Sequence, residues 1–163
     1  MIKLTLKRSS FAIAVIVAGL FSFGASAQKG EMTLGVAGGY ATHNDGGYAD
    51  IYFQYTLAPH VRIAPEVGYV FRNEGESAFE FSTDLHFPFR LAKGFNIYPL
   101  VGFTLNSWNC EHCDDTYTRV GADFGAGFDI YLTSNFKLSI QGKYSLMNDC
   151  SGGFFNMGFG YVF

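Results

Sequence analysis

The sequence predicts an all-β chain: a transmembrane antiparallel up-and-down β-barrel of about eight strands, preceded by a cleavable signal peptide. Three observations predict it. The N-terminus reads as an export leader, apolar residues beyond it recur at every second position, and no later apolar run approaches the ~20 residues that a membrane helix needs. Aromatic residues make up 18% of the 163 and charged ones only 15%, too apolar a balance for an ordinary exported soluble domain. Strands can cross lipid only as a closed barrel, because every backbone polar group must find a partner there.

In the leader, Lys3, Lys7 and Arg8 precede the apolar stretch FAIAVIVAGLFSF, and Ala25-Ser26-Ala27 supplies a small-x-small cleavage site. The run is too short to span a bilayer and breaks at Gly24. Residues 1–27 are therefore expected to be removed, leaving 28–163 as one barrel domain. Loss of three basic residues from eleven leaves eight against fourteen acids, a net charge of −6, which excludes nucleic acid as a partner.

The strands follow in order. Segment 32–41 alternates Leu34 and Val36 with Gly35 and Gly39, and 48–57 sets Ile51, Phe53 and Tyr55 against Asp50. Segment 61–71 opposes Val61, Ile63, Val67 and Tyr69 to Arg62, Glu66 and Gly68; 78–88 opposes Phe79, Phe81, Leu85 and Phe87 to Glu80, Asp84 and His86. Segment 95–105 carries Ile97, Val101 and Phe103, and 118–132 sets Val120, Phe124, Phe128 and Ile130 against Arg119, Gly121, Asp123, Gly125, Gly127 and Asp129. Segment 136–146 sets Phe136, Leu138, Ile140 and Tyr144 against Lys137 and Lys143, and 153–163 alternates Phe155, Met157, Phe159, Tyr161 and Phe163 with Asn156, Gly158 and Gly160. These lengths suit the ~9–11 residues of a tilted membrane strand. Segments 61–71 and 95–105 share an I-x-P-x-V-G-aromatic pattern, a repeated hairpin unit in which Pro65 and Pro99 each remove one ladder hydrogen bond.

Connections alternate in character. Ala58-Pro59-His60, Arg90 to Gly94 and Thr133-Ser134-Asn135 are short, whereas THNDGG, RNEGES, NSWNCEHCDDTY and MNDCSG are longer and polar. Outer-membrane barrels show this asymmetry, with tight periplasmic turns, larger outside loops and both termini at the periplasm.

One face of every segment is apolar and free of charge. The other holds Asp50, Arg62, Glu66, Glu80, Asp84, His86, Arg119, Asp123, Asp129, Lys137 and Lys143 among many glycines. Mixed charges with glycines suit a crowded lumen, and so many aromatic rings would not fit inside an eight-stranded barrel. The aromatic face is therefore expected to meet lipid, where a charge costs ~2–4 kcal/mol near the midplane. If 133–135 is a turn, Tyr131 lies opposite Lys137, and Lys137 and Lys143 lie diagonal to Asp129 and Asp123.

A signal ending Ala-Ser-Ala, about eight alternating strands and a last strand ending Tyr-Val-Phe together resemble the small outer-membrane β-barrel family that includes the OmpA/OmpX-type barrels. The resemblance covers the whole mature chain and implies residence in the bacterial outer membrane. It also implies that Phe159, Tyr161 and Phe163 form the signal read by the barrel-assembly machinery during biogenesis. Two-domain members carry a peptidoglycan-binding domain after the barrel; a chain ending at Phe163 is expected to lack one.

Three constellations could carry chemistry. Cys110, His112, Cys113 and Cys150 admit a disulfide from Cys150 to one of the other cysteines, a local Cys110–Cys113 bridge, or a metal site; an oxidising compartment favours a disulfide. Ser82, Asp84 and His86 share one face of a strand, but alternate residues stand ~6.6–7 Å apart along it and do not form a triad unaided. Asp45, Glu74, Glu76, Glu111, Asp114, Asp115 and Asp149 make the outside rim acidic against Arg72, the composition of a solvated surface without the fixed spacing of a calcium loop.

The sequence thus calls for an integral, non-enzymatic barrel with a side-chain-filled lumen and no cofactor. Its role is structural or mediated by surface loops, its surroundings are outer-membrane lipids, and loops 106–117 and 147–152 are where an extracellular partner would bind. A narrow porin-like channel is the alternative reading, and a lipid-modifying enzyme is a third.

Overall fold

The computed structural model describes residues 29–73, 75–110, 115–148 and 151–163. Residues 1–28, Glu74, Glu111 to Asp114, Asp149 and Cys150 lie outside the described residues, as do the side chains of Cys110 and Asp115. The strands are β1 (Met32–Ala41), β2 (Gly46–Ala58), β3 (Val61–Asn73), β4 (Glu76–His86), β5 (Phe89–Ala92), β6 (Phe95–Cys110), β7 (Asp115–Tyr131), β8 (Phe136–Met147) and β9 (Gly152–Val162).

Each strand pairs antiparallel with its neighbours in sequence, and β1 pairs with β9, so the sheet closes on itself. β4 and β5 act as one strand. Both pair with β6 in a single register, from Glu76↔Cys110 through His86↔Leu100 to Phe89↔Ile97. The break falls at Phe87-Pro88, facing Pro99, where two prolines lack an N–H; Phe87 still donates to the Pro99 carbonyl at 3.0 Å. Eight staves therefore form the barrel. Pro65 acts on one side only: the β2–β3 ladder skips from Tyr52↔Glu66 to Tyr55↔Ile63, while toward β4 the register runs through Pro65↔Thr83 unbroken.

Three expectations about the connections need correction. The segment expected as a strand over 78–88 ends at His86, and Arg90 to Gly94, read as a turn, contains β5; only Lys93-Gly94 turns, with Gly94 at φ 77°. RNEGES is mostly strand, closed by the Asn73↔Glu76 pair. Most of NSWNCEHCDDTY is also strand, because β6 and β7 run for 16 and 17 residues and pair as far as Cys110↔Asp115. Polarity had marked these residues as loop, but a hairpin projecting past the apolar band has no need of apolar side chains, and its backbone ladder simply continues.

The two faces separate cleanly. Phe155, Met157, Phe159, Tyr161 and Phe163 are 42–68% exposed, as are most of the large apolar residues at alternate positions of the other strands. Arg62, Glu66, Glu80, Asp84, His86, Asp123, Asp129, Lys137 and Lys143 are buried inside. One rim of the barrel carries Met32 and Phe163, joined by a Phe163 N–H bond to the Met32 carbonyl at 2.9 Å; it is called the near rim below, and the opposite end the far rim.

Candidate functional site

The interior is layered. At the near rim, Tyr131 donates to Glu31 at 2.6 Å, and Lys137 donates to Gln54 at 2.7 Å while lying 3.9 Å from both Glu31 and Asp129. Next inward, Arg62 reaches across the lumen from β3 to Asp129 on β7 at 2.6 Å. A second Arg62 nitrogen lies 3.0 Å from Nδ1 of His86, and its guanidinium sits 4.7 Å from the Tyr98 ring centre. Tyr98 in turn stacks on His86 at 4.4 Å and donates to Gln141 at 3.1 Å. Ser139 completes the shell of Asp129 with a 2.6 Å bond.

The middle tier gathers around Lys143. Its ammonium lies 2.9 Å from Glu66, 2.8 Å from Glu80, 2.9 Å from the Ser82 hydroxyl, 3.6 Å from Asp123 and 3.8 Å from Asp84. The hairpin diagonals of the sequence reading are thus the longer contacts. Asp129 meets Arg62 more closely than Lys137, and Lys143 meets Glu66 and Glu80 more closely than Asp123, because a lumen this narrow brings opposite walls within side-chain reach. Among the described residues Asp50 has no ion-pair partner and accepts from Asn156 at 2.9 Å, and Arg119 is half-buried over the Tyr117 ring at 4.9 Å.

Above Lys143 the lumen turns apolar. Tyr48, Val70, Ala78, Trp108 and Tyr117 occupy one continuous row of cross-strand partners from β2 to β7. They pack with Ala41, Met147 and Phe154 into a buried cluster. Tyr48 and Phe154 meet edge to face at 5.1 Å, and His43 covers Trp108 at 4.5 Å. The sequence reading missed this layer. Its signal was parity: Tyr98, Leu100, Gly102, Thr104, Asn106 and Trp108 are alternate residues of one strand, and Trp108 inherits the inward direction of the others.

Glycines make room for these side chains. A methyl group added at Gly127 would stand 2.5 Å from the ring and hydroxyl of Tyr98 and 2.7 Å from the Ile140 carbonyl; one added at Gly102 would collide with the Asp84 carboxylate. Gly127→Ala should therefore lower the urea-unfolding free energy by about 1–3 kcal/mol. Measurement on vesicle-inserted protein checks this, with Gly142→Ala as the control; a methyl there meets only the Phe155 ring at 3.2 Å, on the outer wall.

Hydrolytic chemistry finds no support in the placement of Ser82, Asp84 and His86. All three are fully buried in the lumen. Ser82 donates toward Glu66 at 3.4 Å and accepts from Lys143, and His86 is engaged by Arg62. Among the described residues no hydrogen bond joins the three to one another. The expected cysteine and His112 site, whether disulfide or metal, lies outside the described residues or side chains.

A closed eight-stranded antiparallel barrel with an apolar outer wall and a charged, buried interior is a transmembrane β-barrel. The model of the outer membrane protein beta-barrel domain family matches residues 13–163, and the chain belongs to that family and to the bacterial outer membrane. No curated protein matches. The fold is similar to the N-terminal β-barrel domain of Pseudomonas aeruginosa OprF, at 17% identity and TM-score 0.67, covering 83% of this chain and 98% of that one. It is also similar to Neisserial surface protein A, at 14% identity and TM-score 0.66, covering 82% and 96%. A third likeness is to Ail, the attachment invasion locus protein of Yersinia pestis, at 16% identity and TM-score 0.60, covering 83% and 100%.

Proposed function

We propose that the protein is a closed, non-enzymatic barrel that serves the outer membrane as structure and carries its far-rim hairpins to the cell exterior, where they meet a partner. The near rim then faces the periplasm. Residues 1–27 direct export and are removed, and Phe159, Tyr161 and Phe163 on β9 are read by the assembly machinery. The observation that carries the reading is the stacking of three side-chain tiers: the Glu31–Lys137–Arg62–Asp129 layer, the Lys143 layer and the Trp108 layer. A catalytic role is disfavoured because the polar groups capable of acid–base work point inward, away from any lipid. Ail has been solved with the heparin analogue sucrose octasulfate. The acidic far rim here, with Asp45 and Glu76 among its residues, would repel such a polyanion and suits a basic partner instead.

Planar-bilayer recording tests the closed lumen. The refolded protein is expected to stay silent, and Trp108→Ala alone is expected to leave it silent, because the Arg62–Asp129–Tyr98 layer still blocks the path. Steady unitary conductance from the unmodified protein would favour the narrow-channel reading.

A further inference from the structure

The outer wall carries a groove that the barrel's own packing does not explain. Pro99, Ala126 and Gly142 are successive cross-strand partners on β6, β7 and β8 and face outward. Large side chains flank that row, with Val101, Phe124 and Tyr144 on its far-rim side and Ile97, Phe128 and Ile140 on its near-rim side. The near-rim row continues through Met157 to Gly38, where a side chain is again missing. Between the rows lies a hollow of about 490 Å³ that reaches the sheet backbone at Gly39 and Gly127. A second hollow of about 360 Å³ shares Gly142 and Phe155 with it and extends to Thr42, Tyr144 and Gly153, toward the far rim. Glycine weakens a strand unless crowding demands it. Inside the barrel crowding does: a methyl at Gly39 would strike the Phe155 carbonyl, and one at Gly125 the Gly142 carbonyl. On the outer wall it does not. Among the described residues, a methyl at Gly38 would meet only the Tyr48 carbonyl at 3.7 Å, and one at Gly142 only the Phe155 ring at 3.2 Å.

We propose that this groove seats one saturated acyl chain of a membrane lipid, with the headgroup beside Thr42 and Tyr144. The wall already meets lipid, so the occupant comes from the phase that surrounds the groove. The outward side chains lining it are apolar until the Thr42 and Tyr144 hydroxyls. Gln141, Asn156 and Lys143 border it too, but their polar ends are bonded in the lumen. Its length agrees with one chain. Ile97 and Gly38 stand four strand intervals apart in one row, about 19 Å along the wall at ~4.8 Å each. Strands tilt ~35–45° from the membrane normal, so the row runs aslant, and one leaflet of a ~30 Å hydrocarbon core is ~15 Å deep. A chain from one leaflet, laid obliquely, fills that length. Its width agrees as well, because a floor one residue across suits a straight methylene chain and not the convex wall of another barrel. Lipid tails are as apolar as these side chains, so the gain lies in contact: an unfilled hollow forfeits dispersion that a seated chain restores. That the far-rim leaflet is the outer one rests on the orientation proposed above; the groove does not.

Photolabelling tests this. The full mature barrel is refolded into vesicles of phosphatidylethanolamine and phosphatidylglycerol that carry a minor fraction of one of two probes. One is phosphatidylethanolamine with a diazirine at the end of a saturated chain; the other bears the diazirine on its headgroup. Crosslinked residues are mapped by mass spectrometry. The chain probe is expected to mark Ile97, Phe128 and Ile140 well above Val67, Phe79 and Phe81, which are exposed on the β3–β4 face. The headgroup probe is expected at Thr42 and Tyr144 above Phe71. Labelling is read against the rims, so it stands or falls apart from the orientation in the cell. Gly38→Leu with Ala126→Leu fills the groove from positions that open outward. It should lower groove labelling by about tenfold while the β3–β4 face stays unchanged. Even labelling all round the wall would overturn the proposal, since lipid would then act only as solvent. So would groove labelling that survives the filling, or headgroup labels gathered at the near rim. A dimer sedimenting in micelles that the filled variant abolishes would give the groove to a second copy, which also overturns it. Should the filled variant not fold, the contrast between the two faces of the unmodified protein decides.

Discussion

Lys143→Met is expected to destabilise the barrel more than any other single substitution, by about 3–5 kcal/mol, the cost of removing one partner from a buried charge pair. The methionine fills similar volume, so little of the loss comes from packing. Four carboxylates, each now within 3.8 Å of the ammonium, would remain around its place with no cation between them. Urea unfolding of vesicle-inserted protein measures the effect, and the single tryptophan, Trp108, reports it because it is buried directly above this tier. Adding Glu80→Gln to Lys143→Met should recover part of the loss, since it removes one of the two closest negative charges. A Lys143→Met protein as stable as the parent would show that the tier is neutralised without the lysine.

The second large effect is expected at Arg62. Among the described residues, Arg62→Met leaves buried Asp129 with Ser139 at 2.6 Å and Lys137 at 3.9 Å as its partners. It also strips the acceptor Nδ1 of His86 of its donor and the Tyr98 ring of its cation. A loss of about 3–5 kcal/mol follows. The double substitution Arg62→Met with Asp129→Leu should restore most of it, because removing both partners of a buried pair strands no charge. Arg62→Lys should rescue poorly, since one ammonium cannot serve Asp129 and His86 in the planar fork that the guanidinium provides. Additive losses in the double variant would mean that Arg62 acts through packing rather than through Asp129.

Much of the molecule was legible without coordinates. Alternation along 136–146 and 153–163 marks which side chains face out, since a strand allows only two directions and lipid tolerates no charge on one of them. The inward set, from Asp50 to Lys143, follows by the same parity. What alternation cannot carry is distance across the barrel. Arg62 and Asp129 are 67 positions apart in sequence, and Lys143 and Glu66 are 77 apart; only closure of the sheet brings them into contact. Polarity also misled at 106–110 and 115–117, which continue the ladder of a projecting hairpin although their residue types resemble those of a loop.

The sequence by itself determined the class of the fold, the count of staves, the outward and inward faces and the crowding of the lumen, because all of these depend on local period and on the solvent each face must meet. The tertiary structure decided which charges pair, that β4 and β5 are one stave broken at Phe87-Pro88, and that Trp108 belongs to a buried apolar layer. Those depend on the register at which the strands meet and on how far a side chain reaches across the closed barrel, and neither is written in any one segment.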